Sequence, residues 1–365
     1  MSNNSLFQPF SFKSLRLPNR IVMAPMTRGF SPGGVTTEDV AGYYARRAAG
    51  EVGLILSEGT GIGRPGSLNG FNYPRFHGEK ELAAWKRVID AVHADGGAMA
   101  PQIWHVGAVP PLGDGPPAEV YESPSGLSAP DKPLGKVMTE QDIADTIEAF
   151  GTAAADAKRL GFDAVEIHGA HGYLIDQFFW ESTNKRQDAY GGTTITERNR
   201  FAVDVLRSIR SAVGPDFPVI LRVSQWKLQD YTARIAKTPE EMEKWLQPLV
   251  DAGADILHCS QRRFWDAEFE GSDLNFAGWA KKITGVPTIT VGSVGLNNDV
   301  TSTFGGESSQ PAPLEELERR LDRGDFDLVA VGRAILQDPQ WTAKVREGRT
   351  SDLSNFEVSA MGSLS

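Results

Sequence analysis

The stretch AVEIHGAHGY, residues 164–173, joins a short apolar run to two histidines and a tyrosine. The run has the length and residue types of a buried β-strand. His168, His171 and Tyr173 follow it, separated by small residues that let the backbone turn while the rings converge. A single histidine at a strand end is usually structural, but three such rings at one strand mouth favour a site for acid/base chemistry and hydrogen bonding.

Seven further β-rich apolar runs lie on either side of this one, and most are followed by a stretch with helical periodicity. The eight predicted strands are residues 21–24, 53–57, 98–104, 164–168, 219–224, 256–260, 288–292 and 328–332. Strands that alternate with helices are typical of a parallel sheet, and continuously apolar strands are buried on both faces. The pattern predicts an α/β fold: a single (β/α)8 TIM barrel domain over residues 1–365.

Two of the predicted helices have clear end signals. Residues 139–160 carry inward-facing apolar positions and are followed by Gly161, which predicts a helix that ends at that glycine. The sequence Thr238-Pro239-Glu240-Glu241 combines an N-cap threonine, a proline at the first helical position and a glutamate three residues after the cap. We therefore expect a capping box at this second helix.

Several segments are not simple connections between these units. Residues 10–20 have turn signals at Ser14 and Pro18 and predict an N-terminal hairpin that closes one end of the barrel. Residues 106–137 contain seven prolines and predict a long lid loop after the third strand. Residues 183–196 are polar and glycine-rich, and residues 301–313 are rich in Ser, Gly and Pro and predict a mobile insert.

Composition narrows the function classes. The net charge of -10 and the absence of basic runs with interleaved aromatics argue against nucleic-acid binding. The single cysteine, Cys259, excludes an intrachain disulfide, a cysteine-rich zinc site and a cysteine-ligated iron–sulfur cluster, and no metal site is expected. No apolar run reaches the ~18 residues that span a bilayer, and no secretion signal begins the chain. These features predict a cytoplasmic protein that does not bind membranes.

Glycines follow the seventh and eighth predicted strands. In this fold the loops at these two positions commonly hold a phosphate, because glycine lets backbone amides approach the anion. Gly292 and Ser293 occupy the first loop, and Gly332 and Arg333 occupy the second, where the arginine adds a cation. The pair of loops predicts a phosphate site.

Polar side chains at the other strand ends face the same mouth in a parallel barrel. Thr27, Glu58, Thr60 and His168 lie at such ends, while Gln102 and Arg222 interrupt otherwise apolar strands. A buried guanidinium is costly unless its donors are used, so one possibility is that Arg222 pairs with Glu166 inside the barrel. The other is a flat heterocycle with carbonyls and ring nitrogens, whose phosphate tail reaches Gly292 and Arg333. Flavin mononucleotide (FMN) has that shape.

Seven segments carry a family likeness that extends over nearly the whole chain. They are NRIVMAPMTR (19–28), EGT (58–60), QIWH (102–105), HGAHGYLIDQF (168–178), STNKR (182–186), DAYGG (188–192) and ERNR (197–200). Together they resemble the Old Yellow Enzyme family of FMN-dependent ene-reductases. The resemblance implies a cofactor-binding set for FMN made of Ala24, Pro25, Met26, Thr27, Gly59, Gln102, Arg222, Gly292, Ser293, Gly332 and Arg333.

The same resemblance implies the roles at the reacting end. Thr27 would contact the flavin carbonyl near N5, Gln102 the pyrimidine edge, and Arg222 the N1/O2 region. His168 and His171 would bind the substrate carbonyl oxygen, Tyr173 would donate the proton, and Trp104 would line the substrate site. Hydride would pass from NADPH or NADH through flavin N5 to the β-carbon of an activated alkene, an α,β-unsaturated carbonyl compound, and Tyr173 would protonate the α-carbon.

Two other functions remain open from the residues. A cofactor-free TIM-barrel lyase or isomerase acting on a phosphorylated substrate would use the same phosphate loops, with a histidine as base. A non-catalytic FMN-binding protein would bind flavin without turnover. The physiological substrate, the choice between NADPH and NADH, a monomer or homodimer, and the roles of Phe264 and Trp265 are not determined. Arg262, Arg263 and Lys227 are candidate cations for the nicotinamide cofactor.

Overall fold

Eight parallel strands form a closed barrel in the computed structural model, which describes residues 4–111 and 113–365. In chain order they are β1 Ile21–Met23, β2 Leu54–Gly61, β3 Ala98–Trp104, β4 Val165–His171, β5 Val219–Lys227, β6 Ile256–Ser260, β7 Thr288–Val291 and β8 Leu328–Val331. Each strand pairs with its sequence neighbour, and β8 closes on β1. The predicted TIM barrel and its eight strands are confirmed.

Helices cover the outside of the barrel. They are α1 Glu38–Ala49, α2 Glu79–Ala94, α3 Glu140–Leu160, α4 Leu174–Phe179, α5 Ile195–Arg198, α6 Arg200–Val213, α7 Pro239–Asp251, α8 Phe276–Thr284, α9 Val300–Phe304, α10 Glu315–Arg323, α11 Arg333–Gln337 and α12 Trp341–Arg346. Within residues 4–111 and 113–365, none of these helices is long and apolar enough to cross a membrane.

Side-chain alternation along the strands produces two separate cores. One set of strand residues fills the barrel interior and includes Val22, Leu54, Ala98, Ile220 and Leu328. The alternate residues point outward and join the apolar faces of the helices in a larger cluster. Both faces of every strand are therefore buried, which accounts for the continuously apolar sequence of the strands.

The N-terminal hairpin closes the end of the barrel away from the strand C-termini, as predicted. Its strands, Phe10–Phe12 and Leu15–Leu17, pair antiparallel. Leu15 and Leu17 are buried and belong to the interior cluster of the barrel. The hairpin thus supplies the apolar floor, and the opposite end is left for polar chemistry.

Three strands run further toward the mouth than the sequence indicates. β2, β4 and β5 end at Gly61, His171 and Lys227, whereas the apolar runs end at residues 57, 168 and 224. Register shifts lie in each extension, between Leu56 and Gly59 in the β2–β3 pair and between Gly169 and His171 in the β4–β5 pair. Such bulges turn side chains away from strict alternation, so polar residues extend the strands without an apolar pattern.

The helix-end predictions are confirmed in one case and half right in the other. Thr139 and Asp142 form a reciprocal capping box on α3, and Gly161 ends the helix with a left-handed φ of 92°. At α7 the Thr238 hydroxyl accepts from the Glu241 amide. The Glu241 carboxylate accepts from the amide of Lys237 at 2.6 Å instead of from Thr238, so the predicted capping box is incomplete.

The excursion at residues 106–137 is tied down by charged side chains; Leu112 lies outside the described residues. Glu122, which is almost fully buried, accepts hydrogen bonds from Arg64 at 2.7 Å and from the ring of His105 at 3.1 Å. Arg64 also reaches Asp142 at the start of α3. These contacts join the excursion to the loop after β2, to the end of β3 and to α3.

The predicted insert at residues 301–313 contains α9 in part and is joined to the rest of the fold. A bridge between Ser309 and Phe356 and another between Leu296 and Pro311 fix its far end. The guanidinium of Arg333 donates to the hydroxyls of Thr303 and Ser309, at 2.7 and 3.3 Å. The mobility of this segment stays a prediction.

A fully buried ion pair lies beneath the turn that follows β4. Lys227 Nζ is 2.7 Å from Asp176 Oδ1, and neither side chain is exposed to solvent. The second oxygen of Asp176 accepts from the amide of Gly172 at 2.7 Å, next to Tyr173. Burial raises the pKa of Asp176 to about 6 despite the opposing effect of Lys227. The pair therefore stabilises the turn only while both partners are present.

Replacement of Lys227 by methionine is expected to lower the free energy of unfolding by about 3–5 kcal/mol, because it leaves a buried carboxylate without its partner. The exposed pair Lys86–Asp90 on α2 provides a matched control, and Lys86→Met should cost less than ~1 kcal/mol. Urea unfolding followed by tryptophan fluorescence measures both. Equal losses in the two variants would show that the Lys227 pair contributes no more than a surface pair.

Candidate active site at the mouth of the barrel

A layer of buried polar side chains caps the apolar interior at the C-terminal ends of the strands. Glu166 of β4 is its centre, and its carboxylate accepts from Gln102 Nε2 at 2.7 Å. The other oxygen of Glu166 lies 2.6 Å from Nδ1 of His258, on β6. All three side chains are buried. The two hydrogen bonds engage both oxygens of the Glu166 carboxylate and fix the orientation of the Gln102 amide.

Arg222 lies in this layer without an anionic partner. Its strand register places it between His168 of β4 and His258 of β6. It is 7% exposed, its Nε has no hydrogen-bond acceptor, and no carboxylate of the described chain lies within ion-pair distance of its guanidinium. Burial lowers its pKa, although the more distant Glu166 carboxylate acts in the opposite direction. The possible Arg222–Glu166 pair is therefore not formed.

The three rings of the opening motif meet above this layer. The ring centroids of His168 and Tyr173 are 4.8 Å apart, and those of His168 and His171 are 5.1 Å apart, each pair in an edge-on arrangement. Trp104, from the end of β3, stacks on His168 at 6.1 Å and meets Tyr173 edge-on at 4.9 Å. The predicted cluster thus converges, with Trp104 as a fourth ring.

Both histidines of this cluster are neutral. Burial lowers the pKa of each ring well below its usual range, and the nearby Arg222 charge acts in the same direction. The backbone amide of Ala170 donates to Nδ1 of His168 at 3.3 Å. Because an amide can only donate, Nδ1 is the acceptor and the single proton of His168 is on Nε2. His168 therefore presents a neutral N–H donor.

Tyr173 retains its proton at all physiological pH values. Burial raises the pKa of its phenol, and the proximity of Tyr73 raises it further. The residue is the N-cap of α4, and its backbone is fixed through the neighbouring Gly172 amide, which donates to Asp176. The phenol has no hydrogen-bond partner among residues 4–111 and 113–365. A protonated phenol without a protein acceptor suits a general acid.

The carboxylate of Glu58 holds the loop after β1, which is not the position that the sequence predicted for it. Glu58 was expected to face the mouth, but the β2 bulge turns its side chain toward this loop. Its carboxylate accepts from the amides of Arg28 and Gly29 at 2.8 and 3.1 Å. Burial raises the pKa of Glu58 to about 7, against the effect of these two hydrogen bonds. Thr27, directly before this anchor, is exposed.

Thr60 also differs from its expected position, since its hydroxyl donates to the carbonyl of Pro74 at 3.2 Å. Gly59 lies between these two residues and is in close contact with Trp104. A Cβ atom at position 59 would lie 2.5 Å from the Trp104 ring, so the glycine is required by close packing. The bulge thus places a small residue beside the aromatic cluster and the polar residues away from it.

The two predicted phosphate loops differ in backbone conformation and in packing. Gly292 has a φ of 146° and Ser293 one of 53°, both in the range that favours glycine. A Cβ at Gly292 would meet backbone of residues 261–263, and one at Gly332 would lie 3.5 Å from Met26. The guanidinium of Arg333, however, donates to oxygens of residues 298–309. Its predicted contact with phosphate stays a prediction.

Two site residues were missed because their sequence context is unremarkable. Trp226 stacks on His171, with 4.4 Å between centroids, and Ser260 Oγ lies 2.8 Å from His171 Nε2. A serine at a strand end does not by itself indicate a functional site. A tryptophan in the polar segment after residue 224 is less common and could have indicated one. Lys227, by contrast, is removed from the candidate cations because it is buried in its ion pair.

The four aromatic and basic residues at positions 262–265 fall into two groups, two packing residues and two cations. Phe264 is buried in the larger apolar cluster between the strands and the helices, and Trp265 packs against that cluster, so both have packing roles. Arg262 and Arg263 share the carboxylate of Asp299, at 2.7 and 2.8 Å. Arg263 also lies 3.9 Å from the carboxylate of Asp266, so the two cations share two carboxylates. They remain candidates for contact with an anionic group of the nicotinamide cofactor.

The site contains buried hydrogen-bonding groups without protein partners, and these groups fit FMN. The Arg222 and Trp104 side chains each hold a buried N–H donor without an acceptor, as a heterocycle with carbonyls and ring nitrogens would require. The oxygen of Gln102 is free of the Glu166 contact. Of the three glycines assigned to the site, Gly332 has ordinary contacts at its Cβ position, whereas Gly59 and Gly292 are packed closely against protein atoms. Within the described ranges, no cluster of three metal-ligating side chains occurs.

Comparison with known proteins agrees with this site. A sequence profile of the NADH:flavin oxidoreductase / NADH oxidase family matches residues 5–352. An NADH oxidase of Thermoanaerobacter brockii is 33% identical over 96% of the chain, which spans 52% of that protein. The 12-oxophytodienoate reductase 7 of Oryza sativa subsp. japonica is 33% identical over 93% of the chain and 87% of its own length.

Solved structures give the same result. Morphinone reductase in complex with tetrahydroNAD superposes with a TM-score of 0.78 at 30% identity, over 98% of this chain and 94% of that chain. The old yellow enzyme homologue from Zymomonas mobilis has a TM-score of 0.80 at 28% identity, over 98% and 96%. The chain therefore belongs to the NADH:flavin oxidoreductase / NADH oxidase family, within the Old Yellow Enzyme group. It is an NAD(P)H-dependent flavin oxidoreductase with FMN as cofactor.

The raised pKa of Glu58 predicts a pH-dependent stability. The folded protein binds this proton more tightly than the unfolded chain, so stability falls as pH rises from 4.5 to about 7. Glu58→Gln keeps an acceptor for the two amides and removes the titration. Relative to the wild type, the variant should gain about 3 kcal/mol between pH 5 and pH 8. Urea unfolding at both pH values tests this; parallel pH profiles would contradict it.

The unpartnered guanidinium predicts opposite effects on stability and on cofactor affinity. Arg222→Met removes an uncompensated buried charge, so the apoprotein should be at least as stable as the wild type. Loss of hydrogen bonds from a charged donor should weaken FMN binding roughly tenfold to hundredfold. Fluorescence titration of the apoprotein with FMN and urea unfolding measure the two effects. Unchanged FMN affinity would remove Arg222 from the cofactor site.

Proposed function

We propose that this protein reduces the C=C bond of α,β-unsaturated carbonyl compounds with NAD(P)H, and that Tyr173 supplies the proton. The single observation that carries the proposal is the convergence of two neutral histidines and a protonated, unpartnered phenol at the mouth of one barrel. Such an arrangement combines donors for a substrate oxygen with an acid for a neighbouring carbon. The ene-reductase relatives support the same reaction class.

Bound FMN would supply the redox chemistry, accepting hydride from NAD(P)H and delivering it to the β-carbon of the alkene. The side chains proposed to hold it include Thr27, Gln102 and Arg222, together with the loops at Gly292 and Gly332. Arg222 offers a buried cation toward the edge where negative charge develops, and the low dielectric of the site strengthens that interaction.

His168 and His171 are proposed to donate to the substrate carbonyl oxygen. Negative charge grows on that oxygen as the β-carbon is reduced, so donors fixed in advance lower the barrier. Because both rings are neutral, they stabilise the oxygen without transferring a proton to it. The proton instead goes to the α-carbon from Tyr173, whose ring lies beside His168.

Trp104 is proposed to contribute by packing and not by acid/base chemistry. Its ring contacts both His168 and Tyr173 and is itself packed against Gly59. We propose that it lines the substrate position and keeps the acid and the carbonyl-binding donors at fixed separation. A planar enone fits between aromatic walls of this kind.

Removal of the Tyr173 hydroxyl is expected to affect only one half of the reaction. In Tyr173→Phe, reduction of bound FMN by NADPH should keep its rate, because that step needs no proton from this residue. Anaerobic oxidation of the reduced protein by 2-cyclohexenone should slow by roughly 10²–10⁴-fold. Stopped-flow absorbance of the flavin measures each step separately. Equal slowing of both half-reactions would assign Tyr173 a structural role instead.

A further inference from the structure

His171 is held in one orientation by residues of two neighbouring strands. Its φ of 64° lies in the left-handed region, which few residues other than glycine adopt. Its amide donates to Ser224 Oγ at 2.9 Å, and its ring stacks on Trp226 with planes 26° apart. The indole of Trp226 donates in turn to the carbonyl of Ser260 at 3.2 Å. These contacts fix the plane of the imidazole.

The two nitrogens of this ring have different surroundings. Nε2 lies 2.8 Å from the hydroxyl oxygen of Ser260. Nδ1 has no hydrogen-bond partner in residues 4–111 and 113–365. A neutral imidazole carries one proton, so one nitrogen is a donor and the other an acceptor. The direction of the contact with Ser260 therefore decides what Nδ1 presents to a ligand.

Ser260 itself distinguishes the two directions. It is 3% exposed, and the ring of His171 is the one acceptor that the described residues offer to its hydroxyl hydrogen. If Nε2 carried the proton, the Ser260 hydrogen would be buried without an acceptor. If Ser260 donates to Nε2, its buried hydrogen has an acceptor, and the imidazole proton is on Nδ1, the nitrogen left for a ligand. Buried donors are satisfied in the great majority of native structures, which favours the second direction.

We propose that Ser260 is a positioning residue that selects the class of ligand group: it donates to Nε2 of His171 and so keeps the proton on Nδ1. Since His168 carries its proton on Nε2, the two rings then present two neutral N–H donors. Such a pair matches an oxygen that only accepts, such as a ketone carbonyl, and does not match a hydroxyl hydrogen. The inference rests on the proposed role of the histidines in carbonyl binding.

The tautomer can be read directly in the FMN-loaded protein. The chain contains six histidines, so two-bond ¹H–¹⁵N correlation spectra of ¹⁵N-histidine-labelled protein are simple enough to assign with single His→Asn variants. We expect His171 to be protonated on Nδ1 and His168 on Nε2. A wild-type His171 that carries its proton on Nε2 would overturn the proposal.

Two substitutions at position 260 and one matched control separate positioning from folding. Ser260→Ala removes the donor and should shift His171 toward the Nε2-protonated form, whereas Ser260→Thr keeps a hydroxyl and should retain the Nδ1 proton. Ser224→Ala is the control, because the Ser224 hydroxyl bonds only to backbone atoms, the amide of His171 and the carbonyl of Trp226, and its loss should leave the tautomer unchanged. An unchanged tautomer in Ser260→Ala, with wild-type circular dichroism, would refute the role of Ser260.

Ligand selection provides a second readout that needs no turnover. Cyclohexanone is a saturated ketone, and its binding to the oxidised FMN-loaded protein can be followed by the change in the flavin spectrum. Ser260→Ala should weaken this binding roughly fivefold, the effect of about one hydrogen bond. Ser260→Thr should not. Equal binding by the alanine variant would contradict the proposal.

The two hypotheses fail in different ways. If 2-cyclohexenone is reduced but His171 carries its proton on Nε2, the inference about Ser260 is wrong and the proposed function stands. If His171 carries its proton on Nδ1 but neither enone turnover nor ketone binding occurs, the proposed function is wrong.

Discussion

The hydrogen bonds of the Glu166 carboxylate are the constraint on which the rest of the mouth depends. One oxygen accepts from Gln102 and the other accepts from His258, so the carboxylate is engaged within the barrel. Arg222 lies one strand away and remains a buried cation without an anion. An unpaired buried charge lowers the free energy of unfolding, and we expect a ligand that supplies the missing acceptors to bind tightly.

The charge of Arg222 also acts on its neighbours. It lowers the pKa of His168 and His171, in addition to the effect of burial, and therefore helps to keep both rings neutral. A histidinium would both supply positive charge and donate hydrogen bonds, whereas here the two tasks belong to different side chains. The cation stabilises negative charge, and the imidazoles orient an oxygen by hydrogen bonds. The phenol of Tyr173 then remains as the one group of this cluster with a proton to give.

The barrel could be predicted almost completely from the sequence, because continuously apolar strands and capped amphipathic helices are local patterns. The ends of β2, β4 and β5 could not, since their last residues are polar and are paired through bulges. The same bulges account for the wrong placement of Glu58 and Thr60. A one-residue change in alternation reverses the direction of a side chain, and no local pattern encodes it.

The site shows the same division between local and long-range information. His168, His171 and Tyr173 occur within six residues, and the structure brings them together as expected. Ser260 and Trp226 reach the same ring from β6 and β5, and only the register of these strands relates them to His171. The residues that perform the chemistry were thus visible in one strand, while those that determine the protonation of a ring nitrogen come from two others. A sequence comparison restricted to the His/Tyr motif would treat two proteins as equivalent even if residue 260 gave their histidines opposite tautomers.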